Sequence, residues 1–263
     1  KYILPLVFVL AALSCRKSDD HAVREGDPVD MNVRIGSRAG TEPGDSRENL
    51  LERVRVLVFH RESGLLDTMV YAVSGAPGGF DPLPIDLRFS VRSGNKIFCV
   101  VGNEPPSLTP LLSSLTTLSA LRSLSLGSGS GNDYNVNTDP LPMTSMLEEY
   151  IHPDRPLSRP VVFELERVVG KVRMKIVKDA ANNYTVTLEN VRVVNTPRDS
   201  RLMAGNEINP QVLVSLASKD TYTSEEVTAS SPILMTPLYL YEHSWGKGSY
   251  DTAGQAGNAT SLE

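Results

Sequence analysis

The sequence is poor in several features that mark common classes of protein. Among its 263 residues there are only two cysteines, Cys15 and Cys99, so neither a disulfide framework nor a cysteine zinc cluster can be built. Acidic residues outnumber basic ones, and the net charge of −5 argues against nucleic acid as a partner. Residues 2–13 are apolar, but the run is too short to span a bilayer, which takes about 20 residues.

Motifs that would indicate an enzyme are also missing. The sequence has no His-Glu-x-x-His, no Gly-x-Ser-x-Gly leading into a helix, no phosphate-binding glycine loop and no Cys-x-x-Cys. The histidines are scattered singly through polar or turn segments, at His21, His60, His152 and His243. We therefore predict a protein that is not an enzyme, needs no cofactor and holds no metal.

The N-terminus has the pattern of an exported protein. A lysine precedes the apolar run and small residues close it before Cys15, which predicts a signal peptide over residues 1–14. Cys15 resembles the lipidated cysteine of bacterial lipoproteins, although Ala12 stands where the usual motif has leucine. The alternative is an ordinary cleaved signal followed by an incidental cysteine. The acidic pair Asp19 and Asp20 resembles the surface-export signal of Bacteroidetes lipoproteins, which places the protein on the outer face of the outer membrane.

Hydrophobic periodicity predicts a mainly β protein. Alternating apolar residues mark strands at 31–35, 54–59, 85–91 and 163–169, and a further strand is predicted at 233–241, where Pro237 interrupts it. Residues 96–101 are almost continuously apolar, which is typical of a central strand buried on both faces, and Cys99 lies within it as a small buried side chain. Leucines at helical spacing predict one amphipathic helix over 108–121, capped at Thr109.

Composition divides the chain after the signal into three parts. Residues 15–28 are polar and read as a tether. A first β-rich domain is predicted over 29–157, followed by a second over 158–263. The boundary falls in a proline-punctuated bridge around 140–160.

Several short sequence phrases follow one another along the chain, each occurring once. They are Ser-Arg-Ala at 37–39, Val-Arg-Val-Leu-Val-Phe at 54–59, the run from 91 to 103 ending in Val-Val-Gly-Asn, Pro-Met-Thr-Ser at 142–145, Leu-Glu-Arg-Val-Val-Gly-Lys-Val at 165–172 and Leu-Tyr-Leu-Tyr-Glu-His at 238–243. Behind a lipoprotein signal, their order and spacing resemble the fimbrillin family of Bacteroidales, the subunits and anchors of type V pili. The resemblance covers residues 30–245.

The resemblance implies a fold and a mode of assembly. The fold is two tandem transthyretin-like Greek-key β-sandwich domains, with one short helix in the first domain and a second domain left incomplete at residue 263. Subunits of this family join by strand donation, in which one subunit completes the sheet of the next. The partners implied are other fimbrial subunits, the outer membrane through the lipid on Cys15, and a host or bacterial surface receptor.

In the stalk subunits of the family, a protease cuts after an arginine and releases the first strand. Here the strand that would leave contains Met31, Val33 and Ile35. The candidate cut sites are Arg38, which we prefer because it precedes an alanine, and then Arg34 and Arg47. Anchor-type members keep their N-terminus, so the resemblance leaves open whether the cut occurs.

Two further interpretations rest on shorter patterns. Trp245 and Tyr250 could stack on a sugar, so the alternative function is a surface glycan-binding lipoprotein with no role in a pilus. The triplet Asp67-Thr68-Met69 resembles an O-glycosylation site of Bacteroidetes, and a second such triplet begins at residue 251.

Overall fold

A computed structural model describes residues 26–37, 46–76, 79–81, 83–127, 140–181, 184–203, 213–217, 225–228, 230–241 and 261–262. The signal segment, Cys15, Arg38, Trp245 and Tyr250 lie outside these residues. The described fold is mostly β, as expected. Its first eight strands are β1 Pro28–Ser37, β2 Arg53–His60, β3 Leu66–Val73, β4 Ile85–Arg92, β5 Gly94–Gly102, β6 Ser125–Gly127, β7 Met143–Ile151 and β8 Val161–Arg167.

Seven of these strands form one sheet in the order β3-β2-β5-β7-β8-β1-β4. All neighbours are antiparallel except β1 and β8, which run parallel. Ladder pairing between β7 and β8 is confined to two residue pairs near Met143, Met143 with Arg167 and Thr144 with Glu166. The strands β8, β1 and β4 then pack against β2, β5 and β7, which makes a β-sandwich.

Two hydrophobic cores lie on opposite faces of β2 and β5. The inner core fills the sandwich with side chains of β1, β2, β5, β7 and β8, among them Val33, Val56 and Phe98. The outer core covers Leu57 and Cys99 with leucines from residues 108–126 and with Val169, Tyr239 and Tyr241 of the second β-rich block. Because both faces of β5 are covered, its residues 96–101 form an almost continuous apolar run, whereas β2 carries the buried Arg55 among its apolar residues. The predicted central strand at 96–101 is confirmed, as is the burial of Cys99.

The prediction of a single helix is wrong. The leucine-rich segment forms two short helices, α1 Thr109–Ser113 and α2 Leu118–Ser123, and the first residue of α1 is Thr109 rather than its cap. Between them the chain is extended, because the backbone of residues 116–118 pairs with the turn that joins β2 to β3. Thr117 caps α2 by accepting a hydrogen bond from the backbone N–H of Ala120 at 3.2 Å. Neither helix is long and apolar enough to cross a membrane, nor is any other helix in the described residues.

The second block is built from short strands in small sheets. They are β9 Val169–Val172, β10 Lys175–Ile176, β11 Val186–Leu188, β12 Arg192–Pro197, β13 Asp199–Arg201, β14 Leu213–Ala217, β15 Glu225–Val227, β16 Ile233–Leu234, β17 Leu238–Tyr241 and β18 Ser261–Leu262. Pro237 falls between β16 and β17, so the predicted interruption is confirmed.

Two predicted boundaries differ from the sheet pairing. The strand β8 lies in the range that the sequence assigns to the second domain, yet it pairs with β1 in the first sandwich. The strand β1 begins at Pro28, inside the segment read as a tether. A sheet recruits strands by side-chain pattern and not by their distance along the chain, which accounts for the pairing of β8 with β1. The earlier start of β1 follows from Val29, whose buried side chain extends the alternation into the segment read as a tether. The division into two domains stays a prediction.

Candidate functional site: strand β1 and its seat in the sandwich

The strand β1 is held in the sheet on both sides. It pairs antiparallel with β4 along its length, from Pro28 opposite Arg92 to Ile35 opposite Ile85. On its other side residues 33–37 pair in parallel with residues 161–165 of β8. The strand is therefore an internal member of its half of the sandwich, and its removal would break two ladders at once.

The side chains of β1 alternate strictly between core and solvent. Val29, Met31, Val33 and Ile35 are buried in the inner core, whereas the residues between them point outward. The three residues predicted to belong to the departing strand are thus brought together on one buried face. Without β1, the apolar side chains of β8 and of the opposing strands would line an open groove.

Arg34 lies on the solvent side of β1. Its guanidinium donates two hydrogen bonds to the carboxylate of Asp86 on β4, at 3.0 and 3.1 Å. This contact lowers the pKa of Asp86 and raises that of Arg34. Both side chains are more than two-fifths exposed, so the pair marks the register of β1 on β4 but adds little stability.

The next described element after β1 is a 3₁₀ turn, Ser46–Asn49, which contains Arg47 and is held in place by contacts of Glu48. The carboxylate of Glu48 in this turn accepts hydrogen bonds from the Lys171 ammonium and, at 2.8 Å, from the Tyr239 hydroxyl. Burial acts to raise the pKa of Glu48, but these two hydrogen bonds and the positive charges of Lys171 and Arg167 together outweigh it and hold the pKa below its usual range. Glu48 thereby ties the turn to β9 and β17 of the second block.

Asn103, which follows β5, makes a second set of such contacts; we call the contacts of Glu48 and those of Asn103 the two clasps. Its side-chain oxygen accepts from the backbone N–H of Glu52 at 2.8 Å, and its amide nitrogen donates to the carbonyls of Leu50 and Leu141 at 2.7 and 2.9 Å. Asn103 has a φ of 53°, a left-handed conformation that asparagine tolerates better than most residues. Its clasp fixes the residues that lead into β2.

Sequence reasoning missed the roles of Glu48 and Asn103. The phrase Val-Val-Gly-Asn was noticed, but only as part of a resemblance. Its physical content is that a Cβ on Gly102 would lie 2.8 Å from methyl groups of Leu165 and Leu51, and that Asn103 caps three backbone groups. A Gly-Asn pair after a buried strand is a signal that could have identified the clasp. For Glu48 the sequence held no signal, because its partners lie more than 100 residues away.

A surface cleft lies elsewhere, at the end of the sandwich where β2 turns into β3. It is a cleft of about 420 Å³ lined by hydroxyl groups and two arginines: Ser63, Gly64, Thr117, Leu118, Ser119, Arg122, Ser123 and Arg201. Among the described residues no group of three or more histidine, cysteine, aspartate or glutamate side chains could hold a metal ion.

The fold defined by this sandwich is the fold of bacterial fimbrial and cell-adhesion proteins. The chain superposes on a C-terminally truncated form of the tip fimbrial protein Mfa3 of Porphyromonas gingivalis with a TM-score of 0.61, at 15% identity, over 90% of this chain and 77% of that one. It superposes on a fimbrial assembly protein of Parabacteroides distasonis with a TM-score of 0.57, at 16% identity, over 83% of this chain and 79% of that one. No protein-family model and no curated protein sequence matches the chain. The resemblance to fimbrillins drawn from the sequence is confirmed at the level of fold.

Proposed function

We propose that this protein is a structural and adhesive subunit or anchor of a cell-surface fimbria, exported as a lipoprotein on Cys15 and joined to other subunits by β-strand donation. The observation that carries the proposal is the position of β1 between β4 and β8, which we call the seat of β1. A single N-terminal strand supplies four buried side chains to the core and is bonded on both edges. A strand from another subunit with the same alternation would restore both ladders and fill the same pockets.

The position of the candidate arginines favours a cut after Arg38. A cut after Arg34 would fall inside the two ladders and leave Ile35 in the buried core. A cut after Arg47 would fall inside a turn that Glu48 holds against β9 and β17. Proteases bind their substrates in extended form, so a paired strand and a pinned turn are poor targets. Only a cut between them releases β1 whole and leaves the clasps at Glu48 and Asn103 in place.

The test is the N-terminal sequence and intact mass of the protein isolated from the outer membrane of its own cells. A chain that begins at Ala39 would support strand release and a stalk role. A diacylated Cys15 at the start would support a retained anchor. A protein that stays monomeric after processing and never enters filaments would contradict the proposal in both forms.

The arginine sites can be separated by matched variants. Arg38→Gln should abolish processing, whereas Arg47→Gln should leave it unchanged, and both retain a polar side chain of similar length. Processing that persists in Arg38→Gln and disappears in Arg47→Gln would show that the 3₁₀ turn and not the site after Arg38 is the target.

The cleft near the turn between β2 and β3 favours glycan binding as a second function. Four hydroxyl side chains and two guanidinium groups line it, which suits a sugar that carries a carboxylate. Retention on an acidic polysaccharide column that is lost in Arg122→Gln would support this function. Equal retention of Arg122→Gln and the parent, with loss in Trp245→Ala, would move the site to the C-terminal region.

A further inference from the structure

The outer edge of β4 is closed by side chains and not by another strand. Within the described residues, β1 is the only ladder partner of β4, which is the last strand of the sheet. On its other side, the carbonyl of Ser90 accepts a hydrogen bond from the Thr68 hydroxyl at 3.0 Å. The backbone N–H of Arg92 donates to the Asp67 carboxylate, also at 3.0 Å. Thr68 and Asp67 belong to β3, at the opposite end of the sheet order, so the two edges of the sandwich meet here.

A buried lysine holds Asp67 in place for this contact. The ammonium of Lys96, which is 0% exposed, donates to the same carboxylate oxygen of Asp67 at 2.7 Å. His60 flanks the pair, with Nδ1 at 2.9 Å from the ammonium nitrogen and Nε2 at 3.8 Å from the other Asp67 oxygen. A buried lysine requires such a partner, so the position of Asp67 is fixed by the interior of the protein and does not depend on β1.

Loss of β1 would leave two arrangements open to β4: it could stay where it is, or it could move across the vacated space to β8. Neighbouring strands lie about 4.8 Å apart, so the vacated seat between β4 and β8 would be roughly 10 Å wide. Since β1 runs antiparallel to β4 and parallel to β8, β4 is oriented antiparallel to β8. It could therefore close the gap by pairing with β8 directly, which would satisfy the backbone groups of both strands and remove the seat.

We infer that Asp67 and Thr68 are positioning residues that hold β4 against β3, so that the seat of β1 stays open for an incoming strand. This inference rests on the strand exchange put forward under the proposed function. It gives the triplet Asp67-Thr68-Met69 a role in the fold, since the hydroxyl that a glycan would modify is the donor to Ser90. We refer to the contacts of Asp67 and Thr68 with β4 as the edge latch.

The edge latch also sets where a new strand begins to pair. It holds Ser90 and Arg92, which lie opposite the first residues of β1, whereas residues 85–88 at the other end of β4 have no latch contact among those described. The turn into β5 fixes the same end, because Gly94 follows Arg92 after a single residue. An incoming strand therefore pairs first next to Arg92, and then along β4 towards residue 85.

The experiment uses the whole chain with a specific protease site placed within residues 38–45. The cut protein is released from its own strand in mild urea and diluted into buffer with a large excess of a fluorescent peptide of residues 27–37. The rate of peptide uptake is compared among the parent and two variants. Thr68→Val replaces the hydroxyl with a methyl group, and Thr68→Ser keeps the hydroxyl. Asp67→Asn serves as a second variant, and circular dichroism checks that each cut protein remains folded.

We expect the parent and Thr68→Ser to take up the peptide at the same rate, and Thr68→Val to take it up about fivefold more slowly. Loss of one hydrogen bond shifts the equilibrium constant between the open and the closed seat by about that factor, and uptake falls by the same factor where the closed seat predominates in the cut protein. Equal uptake by the parent, Thr68→Val and Asp67→Asn would overturn the edge latch but leave strand exchange standing. No uptake by the parent would overturn strand exchange and the latch with it.

Discussion

Truncation of one buried residue of β1 tests the seat of the strand directly. Val33 is 0% exposed and pairs with both Leu87 of β4 and Val161 of β8. The substitution Val33→Ala removes two methyl groups from this position. Each contributes about 0.8 kcal/mol of transfer free energy, and the cavity left behind adds to that. We therefore expect the free energy of unfolding to fall by about 2–3 kcal/mol.

The matched control is the same substitution at Val162 on β8, whose side chain is 57% exposed. Burial differs between the two sites while the chemistry of the change is identical, so Val162→Ala should leave stability nearly unchanged. For a domain of this size, 2–3 kcal/mol corresponds to a drop in melting temperature of roughly 5–10 °C. Arg34→Ala, on the solvent face of β1, should also have little effect.

Thermal and urea unfolding followed by far-ultraviolet circular dichroism give the comparison. Similar shifts for Val33→Ala and Val162→Ala would mean that β1 does not occupy the described register, because a slip of one residue exchanges the buried and exposed faces. A shift for Arg34→Ala as large as that for Val33→Ala would lead to the same conclusion.

Three other predictions concern buried groups. Asp67→Asn leaves the Lys96 ammonium buried without its counter-ion, so it should cost about 3–5 kcal/mol in urea unfolding, and the double variant with Lys96→Met should cost less than the single one. The pKa of Glu48 is lowered in the folded state, so the stability that this carboxylate contributes should be complete above its unfolded pKa of about 4.3 and lost as pH falls through the folded pKa. Glu48→Gln should therefore flatten the plot of unfolding free energy against pH in that acid range. An unchanged plot would contradict the contacts assigned to Glu48. Burial raises the pKa of the Cys99 thiol to about 12, so it should resist a thiol reagent at pH 8 until the protein unfolds, and rapid reaction of the folded protein would be inconsistent with the outer core.

The parts of the fold that the sequence predicts well are those fixed by local pattern. Alternation over 54–59 and 85–91 and the apolar run at 96–101 each identify a strand, because burial imposes a period of two or a continuous run. The departing-strand residues Met31, Val33 and Ile35 were recognised in the same way, although β1 proves longer at both ends. Whether the strand departs remains a prediction.

Contacts between distant segments were beyond the reach of the sequence. Lys96 lies in an apolar run and gives no sign that it is fully buried, since its partners Asp67 and His60 come from two other strands. The single predicted helix failed for the same reason. Its leucines keep helical spacing throughout, but backbone hydrogen bonds between residues 64–66 and residues 116–118 hold the latter in an extended segment that divides the helix.

The contacts of Glu48 and Asn103 limit which part of the N-terminal region would leave in the proposed strand exchange. The strand β1 ends at Ser37, and the next described residues, from Ser46, are fixed to the second block by Glu48 and to the end of β5 by Asn103. These contacts hold the residues before β2, which starts at Arg53 inside the Asn103 clasp, without any contribution from β1. The edge latch does the same for β4 on the other side of the seat. Under the proposed strand exchange, these contacts would hold the sandwich in the shape that a replacement strand requires after β1 has left.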